Sequence, residues 1–260
     1  MARLEDHQVS GHWKACRIRQ CNMKAIKNLR GIAGFGRCIS VLTAVLTVIS
    51  LGVAVSTPPL SGPFCTGECF RYPYTDIAGR FPRDYYWMVP AILSAFSFLA
   101  MMATVHVATP QDRKHFSLTG LGFAMISALI LSADYFIQLS FIQPALLAGE
   151  TEGIAALSQY NPHGIFIILE ELGFMTMNIA LFCLFPVFRG LHKPSGALRV
   201  TLMAGFILMI ISFASVLLAF GMNREYRFEV IIISITWIEL IIAGFLLGRY
   251  FKRLKNQPEN

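Results

Sequence analysis

Residues 116–142 read FSLTGLGFAMISALILSADYFIQLSFI, an apolar run whose one charged side chain is Asp134. About 20 predominantly apolar residues suffice for a helix to cross the hydrocarbon core of a bilayer. This stretch is therefore long enough to span. Working outward from it, further runs of the same kind lie at about 39–57, 85–107, 163–187, 199–221 and 228–250. The chain is 55% hydrophobic and only 14% charged, where soluble domains run near 25% charged. These segments predict an all-α fold, a polytopic membrane bundle of six transmembrane helices. Short connections make it one body: a basic segment 1–37, a membrane domain 38–251 and a tail 252–260.

The formal charge of +7 raises nucleic acid as a partner, and its distribution argues against one. Eight basic residues precede the first span, two lie in 108–115, three in 188–199 and four from Arg249 onward. Only Arg71, Arg80, Arg83, Arg224 and Arg227 fall on the opposite side. The positive-inside rule then puts both termini in the cytoplasm of a cell whose inner or plasma membrane holds the protein. The excess charge is a topology signal, so no nucleic-acid partner is expected. The first 37 residues lack an apolar h-region, and the run Ile39 to Ser56 is read as a retained first helix rather than a signal peptide.

Within the basic segment, Ile18, Cys21, Ala25, Leu29 and Ile32 recur at helical spacing, with Lys14, Arg17, Lys24, Lys27 and Arg30 among the polar remainder. Residues 13–35 thus suit an amphipathic helix on an anionic leaflet. The alternative is a basic tail that only sets orientation. Gly31, Gly34 and Gly36 are expected to loosen the chain before the first span.

The connection 58–84 holds Cys65 and Cys69 and is expected outside. There a disulfide can close a small loop, free thiols being the alternative. A metal site would need ligands that this loop lacks, since it holds no His. Tyr72, Tyr74, Tyr85, Tyr86 and Trp87 crowd this edge and read as headgroup-level anchors. The stretch 143–162 has no basic residue and suits an interfacial helix or a partial re-entrant segment. Asn161 reads as an N-cap and Pro162 as the first position of the fourth helix. Gly244-x-x-x-Gly248, and the spacing of Ala124, Ala128 and Ser132, read as close-packing faces.

Four acids lie within the apolar segments: Asp134, Glu170, Glu171 and Glu239, with no Lys or Arg at similar depth. A buried charge there costs roughly 2.5–3.5 kcal/mol on insertion scales, so such residues tend to face a protein interior or a wet cavity. At about 1.5 Å per residue, all four fall at the midplane or in the outer half. The predicted binding site is a shared acidic cavity of Asp134, Glu170, Glu171 and Glu239, with Gln138, His163 and Asn178 nearby. A small solute is the expected ligand, a cation being the natural match, with proton coupling left open. The first alternative is an interaction or sensory protein whose acids are interhelical glue; the second is a membrane-embedded hydrolase.

For that last class, Glu170-Glu171 is similar to the glutamate pair of CAAX-type intramembrane proteases. The Arg that family carries four residues after its second Glu is Met175 here, and His106 and His192 fall toward the opposite end from the glutamates. No H-E-x-x-H, G-x-S-x-G, phosphate loop or dinucleotide fingerprint is present. His7, His12, Cys16 and Cys21 match no standard zinc module, and Cys38 and Cys183 read as packing residues. No catalytic residue, metal or cofactor is assigned, and the oligomeric state is not legible.

Overall fold

The computed structural model describes residues 2–57, 59–189 and 195–256, with side chains from Leu29 onward. The long helices are α1 (Ala2–Ser56), α2 (Met88–Ala108), α3 (Lys114–Ile137), α6 (Ile165–Phe182), α7 (Ser195–Phe220) and α8 (Tyr226–Lys255). Two short ones, α4 (Gln143–Leu147) and α5 (Ile154–Leu157), lie between α3 and α6. No strand occurs among the described residues. Six helical stretches are long and apolar enough to cross a membrane: Leu29–Ser56, Arg83–Ala108, Gln111–Leu147, Ile165–Phe182, Ser195–Phe220 and Tyr226–Lys255. Many of their outward residues, among them Val45, Leu93, Leu129, Ile168 and Leu218, are exposed, as suits contact with lipid tails.

Being even in number, the spans bring the start of the first and the end of the last to the same end of the bundle. Gly34 of α1 lies beside the Lys255 ammonium of α8. Arg113 holds two connections together at this terminal end, donating to the carbonyls of Val187 (3.0 Å) and Arg189. The segments 59–84, 143–164 and 221–225 gather at the other end, called here the loop end.

The most extensive helix pair is α1 with α8. A Cβ on Gly244 would come within 2.8 Å of the Ser40 carbonyl, and one on Gly248 within 2.9 Å of Val41. The small residues thus set a close backbone approach. One turn further, Gly36 lies against the Phe251 ring. This explains a departure from expectation: Gly31, Gly34 and Gly36 do not loosen the chain, because α1 runs unbroken through them from Ala2 to Ser56. Gly34 and Gly36 leave room for the end of α8. The amphipathic reading of 13–35 rests on side chains that, up to Asn28, lie outside the described residues. So do the side chains of His7, His12, Cys16 and Cys21, and all of His192. Between α1 and α2, the Thr47 and Ser94 hydroxyls bond at 2.8 Å. Between α3 and α6, Ser127 donates to the Gly173 carbonyl at 2.8 Å.

The third span continues past its expected end. A π-helical turn, Gln138–Ile142, carries α3 into α4, whose second residue is Pro144. A proline offers no N–H and crowds the preceding turn, and a wider turn accommodates it. Segment 143–162 is then a helical extension, a turn through Gly149 and Gly153, and the single turn α5. It packs on 59–84 to form a cap with its own small core: Tyr74, Ile77, Ile142, Ala145, Ile154 and Tyr160. Tyr74 and Tyr85 are buried in this region, while Tyr72 and Tyr86 are exposed. The Sγ atoms of Cys65 and Cys69 are bonded in the same cap.

The fourth span also starts later than expected. Its N-cap is Gly164, not Asn161. The Asn161 side chain instead closes a local turn, accepting from the His163 N–H (3.0 Å) and donating to the Ala155 carbonyl (2.7 Å). Asparagine commonly bonds its own backbone two residues on, and here that competes with the helix start.

Substituting Gly244 by Val should lower the thermal stability of the purified protein by about 1–3 kcal/mol, the usual cost of overpacking. Gly52→Ala, where a Cβ meets open space, should not. Equal melting temperatures for the two variants would contradict the α1–α8 packing described.

Candidate functional site

The buried acids divide into two groups. At the loop end, Tyr135 on α3 donates to Glu170 Oε1 on α6 at 2.6 Å. The Glu170 carboxyl lies against that of Glu229 in the first turn of α8. Asp134, next to Tyr135 in sequence, lies within electrostatic reach of Glu170, and its Oδ2 is buried with no hydrogen-bond partner. Glu171 faces elsewhere, about 100° further round α6. Its Oε2 pairs with Arg224 Nη2 at 2.6 Å.

Glu239 stands apart. Asn178 Nδ2 donates to its Oε2 at 2.6 Å, joining α6 to α8. Its carboxylate fills the space left by Gly205 on α7, where any Cβ would collide with it. This is an enclosed interhelical contact, and the expected single cavity of four acids is corrected accordingly. The structure gathers Asp134, Glu170 and Glu171 near one another and leaves Glu239 and Asn178 elsewhere.

Two further candidates also serve as structural ties. Gln138, on the π-helical turn, donates to the Leu157 carbonyl (2.6 Å) and accepts from the Gln159 N–H (3.1 Å), fastening the cap to α3. His163 is exposed in the turn before α6. The expectation that no Arg lies at the depth of the acids fails for Glu171. Arg224 reaches it because the connection from α7 to α8 is short and Gly221, at φ +56, closes α7 tightly.

A cavity of about 380 Å³ lies beside the first group. The loop-end halves of α1 and α8, the cap and the start of α2 enclose it. Glu229 reaches it from α8, and Asp84 from the turn before α2. Asp84 is buried; its Oδ2 accepts from the Tyr160 hydroxyl at 3.0 Å, and Oδ1 lies 3.4 Å from Arg83 Nε. Burial first, then the nearby Asp84 charge, pushes the Tyr160 phenol above its ordinary range, so it stays protonated as the donor. Tyr226 and Ser61 share a 2.7 Å hydrogen bond, and Tyr226 also donates to the Gln159 carbonyl at 3.1 Å. Trp87 and Trp237 complete the aromatic wall, Trp87 standing edge-on to Tyr135 with centroids 5.1 Å apart. No Lys or Arg is among the described residues that line the cavity.

Sequence reasoning missed Glu229, Asp84, Arg224 and Tyr135. For Glu229 a signal was available, its place inside the predicted span 228–250. Asp84 and Arg224 lie in connections; the folded cap brings Asp84, and the tight α7–α8 connection brings Arg224, to the buried acids. Among the described residues, no three His, Cys, Asp or Glu side chains are grouped to hold a metal ion. No family model matches the chain, and no curated protein or solved structure matches it significantly.

Arg224→Gln strands the Glu171 carboxylate and should cost about 1.5–3 kcal/mol, the range for a hydrogen bond to a charged group. The double variant Glu171→Gln with Arg224→Gln should recover part of that loss. A thermal-unfolding double-mutant cycle measures both, and additive losses would argue against the pair. Glu239→Gln keeps an oxygen for Asn178 to bond and should unfold close to wild type. Glu239→Leu leaves Asn178 unsatisfied and should lower the melting temperature.

Proposed function

We infer that this chain is a multi-pass protein of the inner or plasma membrane, with both termini in the cytoplasm, that binds a small organic cation at its outer face. The orientation follows from the excess of Lys and Arg at the terminal end. The Cys65–Cys69 bond then falls on the side where disulfides persist, which supports the same orientation.

One observation carries the binding reading. The loop-end cavity is lined by Glu229 and Asp84, by the aromatic rings of Phe64, Trp87, Tyr160, Tyr226 and Trp237, and by no basic side chain among the described residues. Aromatic faces attract cations through their quadrupole, and the attraction grows when water is excluded. Asp84 is paired with Arg83, so the net negative charge beside the rings comes from Glu229 and its neighbour Glu170. Together they suit an ammonium group better than an anion or a neutral sugar.

The Glu170–Glu229 pair adds a means of coupling. In this reading the two adjoining carboxyls hold one proton between them, and an ammonium group arriving at Glu229 competes with it, leaving the proton on Glu170 or releasing it. Binding and proton release are then linked, and by reciprocity added protons weaken binding. Glu239 and Asn178 have no part in this and serve as helix glue.

The test is a titration of the protein in lipid nanodiscs with tetraethylammonium, followed by tryptophan fluorescence, against sodium chloride at matched ionic strength. Trp87 and Trp237 stand in the cavity wall and report its occupancy. A saturable change is expected, weakened at least tenfold in Glu229→Gln and weakened as pH falls. An unsaturable response, or identical curves for wild type and Glu229→Gln, would remove the reading.

A further inference from the structure

The cavity has two unlike poles. Asp84, Glu229, Tyr160 and Tyr226 lie toward the cap. Leu51, Ala54 and Val55 of α1 and Val230 and Ile233 of α8 make an apolar wall that belongs to the membrane-length helices themselves. Val55 is 78% exposed and Val230 is 44% exposed, yet both line the cavity. The rim between α1 and α8 is therefore open to the surface that these helices present to lipid. A ligand entering there meets hydrocarbon first and carboxylates last.

Resting on the cation-binding reading above, we propose that the ligand is a long-chain amine, a single hydrocarbon tail ending in an ammonium group, taken from the outer leaflet through the gap between α1 and α8. The tail lies along the Leu51, Val55 and Ile233 wall, and the ammonium sits among the aromatic rings beside Glu229. Charge complementarity selects against a phospholipid. A phosphate next to the ammonium would meet two carboxyl groups, with no Lys or Arg among the described lining residues and the adjoining Arg83 already paired with Asp84. A desolvated anion without a partner is strongly disfavoured. A fatty alcohol fits the wall but offers no charge to the polar pole. Of the common single-chain amphiphiles, the amine alone satisfies both ends.

The experiment is photocrosslinking in nanodiscs with a long-chain amine that carries a photoreactive group in its tail, followed by peptide mapping. Label is expected on the segments around 51–55 and 230–233. Unlabelled amine should compete at least tenfold better than a fatty alcohol or a lysophosphatidylcholine of equal chain length. Glu229→Gln should lose most of the label. Ala54→Phe, which narrows the gap, should reduce amine capture at least tenfold while weakening tetraethylammonium binding much less. Equal losses of both ligands in Ala54→Phe would overturn the tail assignment. Equal competition by lysophosphatidylcholine would show that phosphate is accepted, and equal competition by the alcohol that charge is not read; either result overturns the proposal. If tetraethylammonium binds but the amine gives no specific label, the amphiphile assignment fails and the cation site stands. If neither binds, the cation reading itself fails.

Discussion

A carboxyl group held away from water must be satisfied by the protein, and the contact that runs from the Tyr135 hydroxyl to Glu170 and on against Glu229 does this within three helices. It joins α3, α6 and α8 at one level near the loop end. Leaving any member unpaired would expose a buried polar group to the full cost of desolvation. The geometry of the neighbouring cavity depends on that tie. Glu229 lies against Glu170 on one side and borders the cavity on the other, so its position at the polar pole is not free to drift.

The apolar packing elsewhere keeps this polar layer in register. Glycines on α8 let α1 approach closely, and the Ser127–Gly173 bond draws α3 against α6. Those contacts place α1 and α8 side by side along much of their length, yet near the loop end the space between them holds the cavity. The cap closes the top. Its small core and the two bonds of Gln138 make 59–84 and 143–162 a fitted cover instead of two independent loops. The acids thus sit differently: Glu239 and Glu171 hold helices and a connection, while Glu170 lies between the Tyr135 hydroxyl and Glu229.

Much of the architecture was legible because the bilayer permits few solutions. An apolar run of membrane length has to be helical so that its own backbone groups are paired. All six spans were therefore found, and the close packing at Gly244 and Gly248 was visible as spacing. The errors were local and have local causes. Asn161 looked like a helix cap and instead closes its own turn with the His163 N–H. Gly31, Gly34 and Gly36 looked like a break because glycine is flexible, whereas the helix runs through all three and Gly36 is a narrow place against Phe251 of α8. The third span, expected to end at 142, runs on because a π-helical turn absorbs Pro144.

By itself, then, the sequence determined the number of membrane-length helices, their helical character and the presence of acids that demand partners, because these follow from composition along one dimension. It did not determine which acid meets which partner. Asp134, Glu170 and Glu239 have similar apolar surroundings in the sequence, yet Glu170 faces another carboxyl, Glu239 an amide, and Asp134 leaves one oxygen unpartnered. Asp84 and Arg224 come to the buried acids from connections far away along the chain. Pairings of that kind depend on helix rotation, helix neighbours and the fold of the cap. Those are set by packing in three dimensions, so tertiary structure alone decided where the cavity lies and which charges it holds.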